Sequence, residues 1–195
     1  MTSPTLAVVS GPPGTGKTTL AHELAHELAH ELAHELGCPA IIRDEIKQGM
    51  VLSTSGYQSG GTDPLNYPTL DAFFDVTRVL LKAGVTIVIE AAFQDRLWRP
   101  NLAPLVSLAH IRVIRCTAPT DIAHDRIVNR VQESNHRAAH ADHDLLEAIA
   151  SGENPLESFK PISLEVPTLA VDTSDGYKPG IAEIVRFTKT TEADS

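Results

Sequence analysis

Residues 5–18, TLAVVSGPPGTGKT, decide the fold. Thr5 to Ser10 is a short apolar run of the kind required of a parallel strand buried on both faces. It leads directly into Gly11-Pro12-Pro13-Gly14-Thr15-Gly16-Lys17-Thr18, a full match to G-x-x-x-x-G-K-[ST], and the residues from Thr18 and Thr19 onward are strongly helical. Strand, glycine-rich loop and helix in this order form a phosphate-binding loop. The glycines let backbone N–H groups converge on phosphate oxygens, and the following helix adds its positive end. In this reading Gly11 to Thr19 bind the nucleotide, Lys17 reaches its β and γ phosphates, and the Thr18 hydroxyl ligates Mg²⁺. ATP and Mg²⁺ are therefore the expected cofactors. The sequence has no Asn-Lys-x-Asp pattern for guanine, so a GTPase is not expected.

The helix that follows contains AHEL four times in succession, residues 21–36, and His-Glu-x-x-His begins at His22, His26 and His30. A zinc protease would need a third ligand and an open metal position, which nothing downstream marks, and the pattern arises automatically from repeating AHEL. Histidines four apart are also a spacing that binds divalent metal adventitiously. The favoured reading is a solvated face, with each of Glu23, Glu27 and Glu31 three residues before a histidine. A four-residue period exceeds 3.6 per turn, so the apolar stripe drifts by roughly 40° per repeat. An unbroken helix from Lys17 to Leu36 would be roughly 30 Å long against roughly 17–20 Å for a sheet strand. Its end is expected to overhang, where exposed Leu and Ala would offer a surface for homo-oligomerisation.

Composition bounds the rest. At 195 residues, 42% hydrophobic and 5% aromatic, the chain suits a single domain spanning 1–195. A formal charge of −9 opposes polyanion binding, so nucleic acid is not expected as a partner. No apolar run approaches the ~20 residues of a membrane helix, and the start lacks the features of a signal peptide. With only Cys38 and Cys116, a disulfide framework is not expected, and the chain reads as cytoplasmic.

Gly37-Cys38-Pro39 stops the repeat helix, Ala40 to Arg43 reads as a second strand, and Asp44 to Val51 as a short helix. Residues 53–68, rich in Ser, Gly, Pro and Asn, read as one long loop whose Tyr57 and Tyr67 help line a substrate pocket. A helix over Thr69 to Lys82 precedes a strand over Val85 to Glu90 and a helix interrupted by Pro100 and Pro104. Next come a strand over Ile111 to Cys116, a helix from Pro119 through Arg130, a strand over Val166 to Asp172 and a closing helix over Gly180 to Lys189. Strands alternating with helices imply an α/β fold, a parallel sheet covered on both faces.

Three further positions belong with the loop. Asp44, ending the second strand, would lie at the carboxyl edge where ligands bind in open α/β folds, and a carboxylate there accepts the proton of an attacking hydroxyl. Its alternative is to cap the helix. Glu90 ends an apolar strand and either holds the Mg²⁺ shell through water or is a solvated acid. Arg126 and Arg130, four apart on one helix, either clamp transferring phosphate or are surface ion-pair partners.

Taken together, these segments resemble the P-loop kinases of the polynucleotide kinase, zeta toxin and gluconate kinase kind, a group also called AAA-type ATPases. GPPGTGKTTLA resembles the family's phosphate loop, and RDEIKQG the segment that carries its general-base Asp and a substrate-side basic residue, here Asp44 and Lys47. VTIVIEAAF is similar to its Walker B strand, where Asp is commoner than the Glu90 found here. IRVIRCTAPTDIAHDRIVNR resembles the strand and lid helix that supply clamping arginines, here Arg126 and Arg130, with a lid region of about 119–150. VDTSDGY is similar to the loop that approaches the adenine. The resemblance implies a three-layer P-loop NTPase sandwich, a five-stranded parallel sheet of order 2-3-1-4-5 and a helical lid. It also implies that AHELAHEL is an insertion of two tetrapeptides, a lengthened helix that imitates a protease motif.

The expected function is transfer of the γ-phosphoryl group of ATP to a hydroxyl of a small molecule. The alternatives are a polynucleotide 5′-hydroxyl kinase, opposed by the charge of −9, and a nucleotide-binding regulator without an acceptor.

Overall fold

The computed structural model describes residues 3–15, 38–57, 63–133, 142–151 and 158–190. Gly16, Lys17, Thr18, Thr19 and the AHEL repeat lie outside the described residues. Five strands, β1 (Thr5–Ser10), β2 (Ala40–Ile42), β3 (Ile87–Glu90), β4 (His110–Thr117) and β5 (Thr168–Asp172), form one all-parallel sheet of order β2-β3-β1-β4-β5. Six described helices accompany it: α1 (Arg43–Leu52), α2 (Asn66–Lys82), α3 (Asp95–Leu102), α4 (Thr120–Glu133), α5 (Asp142–Ala150) and α6 (Ile181–Lys189). This is the expected α/β architecture and strand order.

The period-2 alternation of the strands divides the core into two layers. Leu6, Val8, Ile87, Ile89, Ile111 and Val113 face one side, where they pack with Phe73 and Phe74 of α2 and Trp98 and Leu102 of α3. Ala7, Val9, Val88, Ile114 and Cys116 face the other, against Val171 and against Ile184 and Val185 of α6. Four rings, Phe73, Phe74, Phe93 and Trp98, meet with centroids 5.1–6.2 Å apart, mostly edge to face. Burying each is worth about 1.5–3 kcal/mol, with ~0.5–1.5 kcal/mol more per favourable ring pair. This cluster fixes Phe93, which matters below because Phe93 also faces the site. Both cysteines are buried and neither is in a disulfide, and burial raises the Cys38 thiol above its ordinary value. Among the described residues, no helix is long and apolar enough to cross a membrane.

Several boundaries differ from the sequence reading, each for a local reason. Strand β2 ends at Ile42, so Arg43 and Asp44 open helix α1 instead of closing a strand. Helix α2 starts at Asn66, which shortens the loop expected over 53–68; Pro68 is tolerated because first-turn N–H groups lack helical partners anyway. Pro100 does not interrupt α3 but lies inside it, and Pro104 falls in a short 3₁₀ turn, Ala103–Ser107. Strand β3 begins late because the Thr5 N–H is taken by the Thr86 hydroxyl oxygen at 3.0 Å. Strand β5 begins at Thr168, although the Pro167 carbonyl still accepts from Val113 N–H at 3.0 Å.

Candidate functional site

In the order β2-β3-β1-β4-β5 the strand that follows β1 lies beyond β3 and the strand that follows β3 lies beyond β1, so the sequence order reverses at these two adjacent strands. In an open parallel sheet such a point opens a crevice at the carboxyl ends of the strands. Residues 11–15 lie there, directly after β1. The loop curls on itself: the Thr15 N–H and Thr15 hydroxyl both donate to the Pro12 carbonyl, at 3.4 and 2.7 Å. A Cβ on Gly11 would come within 2.4 Å of the Cys116 carbonyl oxygen at the end of β4. Gly14, at φ +74°, would bring a Cβ within 2.3 Å of the Ala123 carbonyl oxygen and 2.9 Å of Ile127 Cδ1 on α4. The glycines thus seat the loop against β4 and α4 by close backbone approach.

The loop is also tied to the end of β5. The Thr173 hydroxyl lies 2.9 Å from the Thr15 carbonyl oxygen and 3.1 Å from that of Thr117. Thr15 and Thr173 are 0% and 1% exposed, so the bond between the Thr173 hydroxyl and the Thr15 carbonyl is shielded from water. The Arg126 guanidinium reaches the same place: Nη2 donates to the Thr173 and Ser174 carbonyls at 2.7 and 3.1 Å. Ser174 in turn donates its N–H to Asp172 at 2.8 Å, and hydrogen bonds from Ser174 hold the Asp172 carboxyl below its ordinary range. Arg126 therefore orders the β5 loop beside the phosphate loop. Arg130 lies in α4, but its side chain is outside the described residues.

On the opposite flank Ile42 pairs with Glu90, and Glu90 pairs with Val9, so three strand ends converge at one edge. Glu90 is 6% exposed, which corrects the solvated alternative: the residue is buried. Asp44 lies in the first turn of α1, whose N-cap residue is Ile42, so the capping alternative does not describe it. Arg43 Nη1 donates to Asp44 Oδ1 at 2.8 Å, and Nη2 donates to Asn66 Oδ1 at 2.9 Å. The same guanidinium lies over the Phe93 ring, 5.9 Å from its centroid.

Asp44 faces a cavity of about 430 Å³ lined by Arg43, Asp63, Tyr67, Phe93 and Arg96, among others. The volume lies within the ~300–1,000 Å³ range of small-molecule sites. Lys47 is not among the lining residues. It is 3% exposed and forms an ion pair with Asp63, so it stands behind the wall and touches the cavity only through that carboxylate. Burial raises the Asp63 carboxyl, but hydrogen bonds from Lys47, Leu65 N–H and Tyr57, with the Lys47 charge, outweigh this and hold it below the usual range. Tyr57, expected at the pocket, donates to Asp63 at 2.9 Å, and its phenol is raised by burial and by that carboxylate.

The structure thus gathers the described part of the phosphate loop, Glu90 and Asp44 at one edge, with Arg126 on the β5 side of the loop. Sequence reasoning missed Arg43, Asp63, Asn66, Phe93, Arg96 and Thr173 as site residues. The signals were present in RDEIKQ, in the residues following Glu90 and in VDTSDGY. For Mg²⁺, a buried carboxylate beside the loop and the motif hydroxyl of Thr18 are hard oxygen donors, the chemistry that ion prefers. Among the described residues no group of three or more His, Cys, Asp or Glu is placed to hold a metal ion.

A family model described as an AAA domain matches residues 6–155. No curated protein matches the sequence. Among solved structures, a kinase candidate from Chloroflexus aurantiacus J-10-fl is 24% identical, with a TM-score of 0.73 over 95% of this chain and 97% of that one. A sugar kinase from Janibacter sp. HTCC2649 is 19% identical with a TM-score of 0.63, covering 97% of both chains. The APS kinase of Mycobacterium tuberculosis, solved with AMPPNP and APS, is 14% identical with a TM-score of 0.59, over 97% of this chain and 100% of that one. Family and fold together support a phosphotransferase of kinase type. With a family model spanning most of its length, a sheet of order β2-β3-β1-β4-β5 and kinases among its structural neighbours, the chain belongs to the AAA-domain family and has the P-loop kinase fold.

Proposed function

We propose that the protein transfers the γ-phosphoryl group of ATP to a hydroxyl of a small molecule held in the cavity beside Asp44. The observation that carries this is that Asp44 opens onto a cavity at the same sheet edge as the phosphate loop. Asp44 takes the proton of the attacking hydroxyl, and Arg43 fixes its carboxylate from one side. Lys17, on the strength of the motif, neutralises charge on the transferred group, and Gly11 to Thr19 seat the nucleotide. Thr18, with Glu90 through water, would hold Mg²⁺, which would supply positive charge to offset that of the phosphates. Arg126 shapes the nucleotide side through the Thr173–Ser174 carbonyls, and Arg130 is the remaining candidate to meet the transferring phosphoryl group. Lys47 acts by holding Asp63 in the cavity wall.

Labelled ATP offered with a panel of small hydroxyl compounds tests the reading. Phosphorylated product is expected with the native chain and none with Lys17→Ala. Asp44→Asn is expected to retain ATP binding and slow the single-turnover chemical step by ~10²–10⁴. Unchanged single-turnover rates in Asp44→Asn would remove Asp44 from the chemistry. ATP binding without transfer to any acceptor would favour a nucleotide-binding regulator.

A further inference from the structure

We infer that the acceptor is an anionic hydroxyl compound, its acid group bound by Arg96 while its hydroxyl faces Asp44. The inference deepens the kinase reading and rests on it for the fate of the hydroxyl, whereas the acid site stands on the cavity's own charges. Among the described residues, four charged side chains line the cavity: Arg43, Asp44, Asp63 and Arg96. Asp44 is matched by Arg43 at 2.8 Å, and Asp63 by Lys47, Tyr57 and the Leu65 N–H. Arg96 is exposed in the first turn of α3 and has no ion pair among the described residues. Its acidic neighbour Asp95 is turned to another task, accepting from the Ser163 N–H and hydroxyl at 2.8 and 2.9 Å. The Arg43 guanidinium is already committed, Nη1 to Asp44 and Nη2 to Asn66, which leaves Arg96 as the cation available to a ligand. The cavity therefore carries one uncompensated positive charge, the guanidinium of Arg96.

The remaining wall suits the carbon frame of such a molecule. Leu70, Phe93 and Leu97 are apolar, Tyr67 is amphipathic, and Phe93 is immobilised by the aromatic cluster. Long-range attraction cannot supply the recognition: the formal charge of −9 repels anions, and such fields are screened beyond about 8 Å in physiological salt. Arg96 must act at contact distance, where its planar fork pairs with carboxylate or phosphate oxygens.

The test uses the full chain and two matched sets of probes, glycerate, glycerol 3-phosphate and glycerol, and gluconate, sorbitol 6-phosphate and sorbitol. Binding is measured by calorimetry with and without a non-hydrolysable ATP analogue, and transfer is followed separately with labelled ATP. At least one acid is expected to bind more tightly than its neutral partner, and the carboxylate and phosphate arms identify the acid group. Arg96→Gln is expected to weaken that acid by roughly 10- to 100-fold and collapse its preference over the neutral partner. Arg96→Lys should restore part of it, and Arg99→Gln, an exposed arginine outside the cavity lining, should leave the preference intact. Neutral probes binding as well as acids, no probe binding at all, or a preference that survives Arg96→Gln would overturn the inference. Acid binding that depends on Arg96 but is followed by no transfer would support the acid site and overturn the kinase reading instead.

Discussion

Position 14 is one of the four unspecified places in G-x-x-x-x-G-K-[ST], yet the structure demands glycine there. Gly14→Ala places an L residue at φ +74°, which costs about 1–2 kcal/mol. It also brings a methyl carbon within 2.3 Å of the Ala123 carbonyl oxygen, which must withdraw by about 0.7 Å to reach the 3.0 Å floor of real Cβ contacts. That oxygen belongs to α4, whose Ala123 and Ile127 are 2% and 0% exposed, so withdrawal drags a packed helix with it. Overpacking of this kind costs about 1–3 kcal/mol, for a combined loss of ~2–5 kcal/mol out of a typical domain stability of ~5–15 kcal/mol. Urea unfolding followed by circular dichroism measures it, with Gly49→Ala as the internal control. Gly49 lies within α1 with nothing inside 4 Å of a built Cβ, so alanine there should raise stability by about 0.5–1 kcal/mol. A Gly14→Ala variant within 0.5 kcal/mol of the native chain, on the scale of ordinary surface substitutions, would refute the claim that the loop is seated on α4 by close approach.

Two further outcomes follow from buried partners. Asp63→Asn leaves Lys47 buried beside a neutral group and is expected to cost ~3–5 kcal/mol at pH 7, read as a lowered urea midpoint. The folded Asp63 carboxyl titrates below its ordinary 3.8, so its contribution is full above about pH 4 and is lost as pH falls through the folded value. Native stability should therefore drop more steeply than that of Asp63→Asn over this acid window, and parallel acid profiles would refute the pairing. Arg126→Ala removes the support of two carbonyls in the β5 loop and should weaken ATP binding as well as slow transfer. Calorimetry showing unchanged ATP affinity, with only the rate depressed, would assign Arg126 to the transferring phosphoryl group instead.

Much of the molecule was legible in local sequence. The motif at 11–18 required a strand before it and a helix after it, and the apolar runs that became β1, β3 and β4 stood out because a doubly covered parallel sheet tolerates few polar side chains. Alternation within those runs also assigned each side chain to a layer, since successive residues of a strand face opposite sides. Asp44 and Glu90 stood out as candidates because strand ends at the carboxyl edge are where such sheets bind ligands. Backbone periodicity and turn chemistry are local properties, written in consecutive residues.

Partner choice through space is not written there. Lys47 is an ordinary basic residue until the loop after α1 returns Asp63 to cover it, at which point desolvation makes the pair obligatory. Arg126 has a clamp's spacing with Arg130, but residues 47 and 48 positions further along supply its acceptors. Thr173 is one hydroxyl among many until the sheet brings it to Thr15 across 158 positions. Strand order has the same character: alternating strands and helices permit several parallel sheets, and the order β2-β3-β1-β4-β5 is selected by which apolar faces can be buried together. Arg96 became a candidate only when every other charge in its cavity was seen to be matched, because compensation is a property of the assembled site and of no single segment.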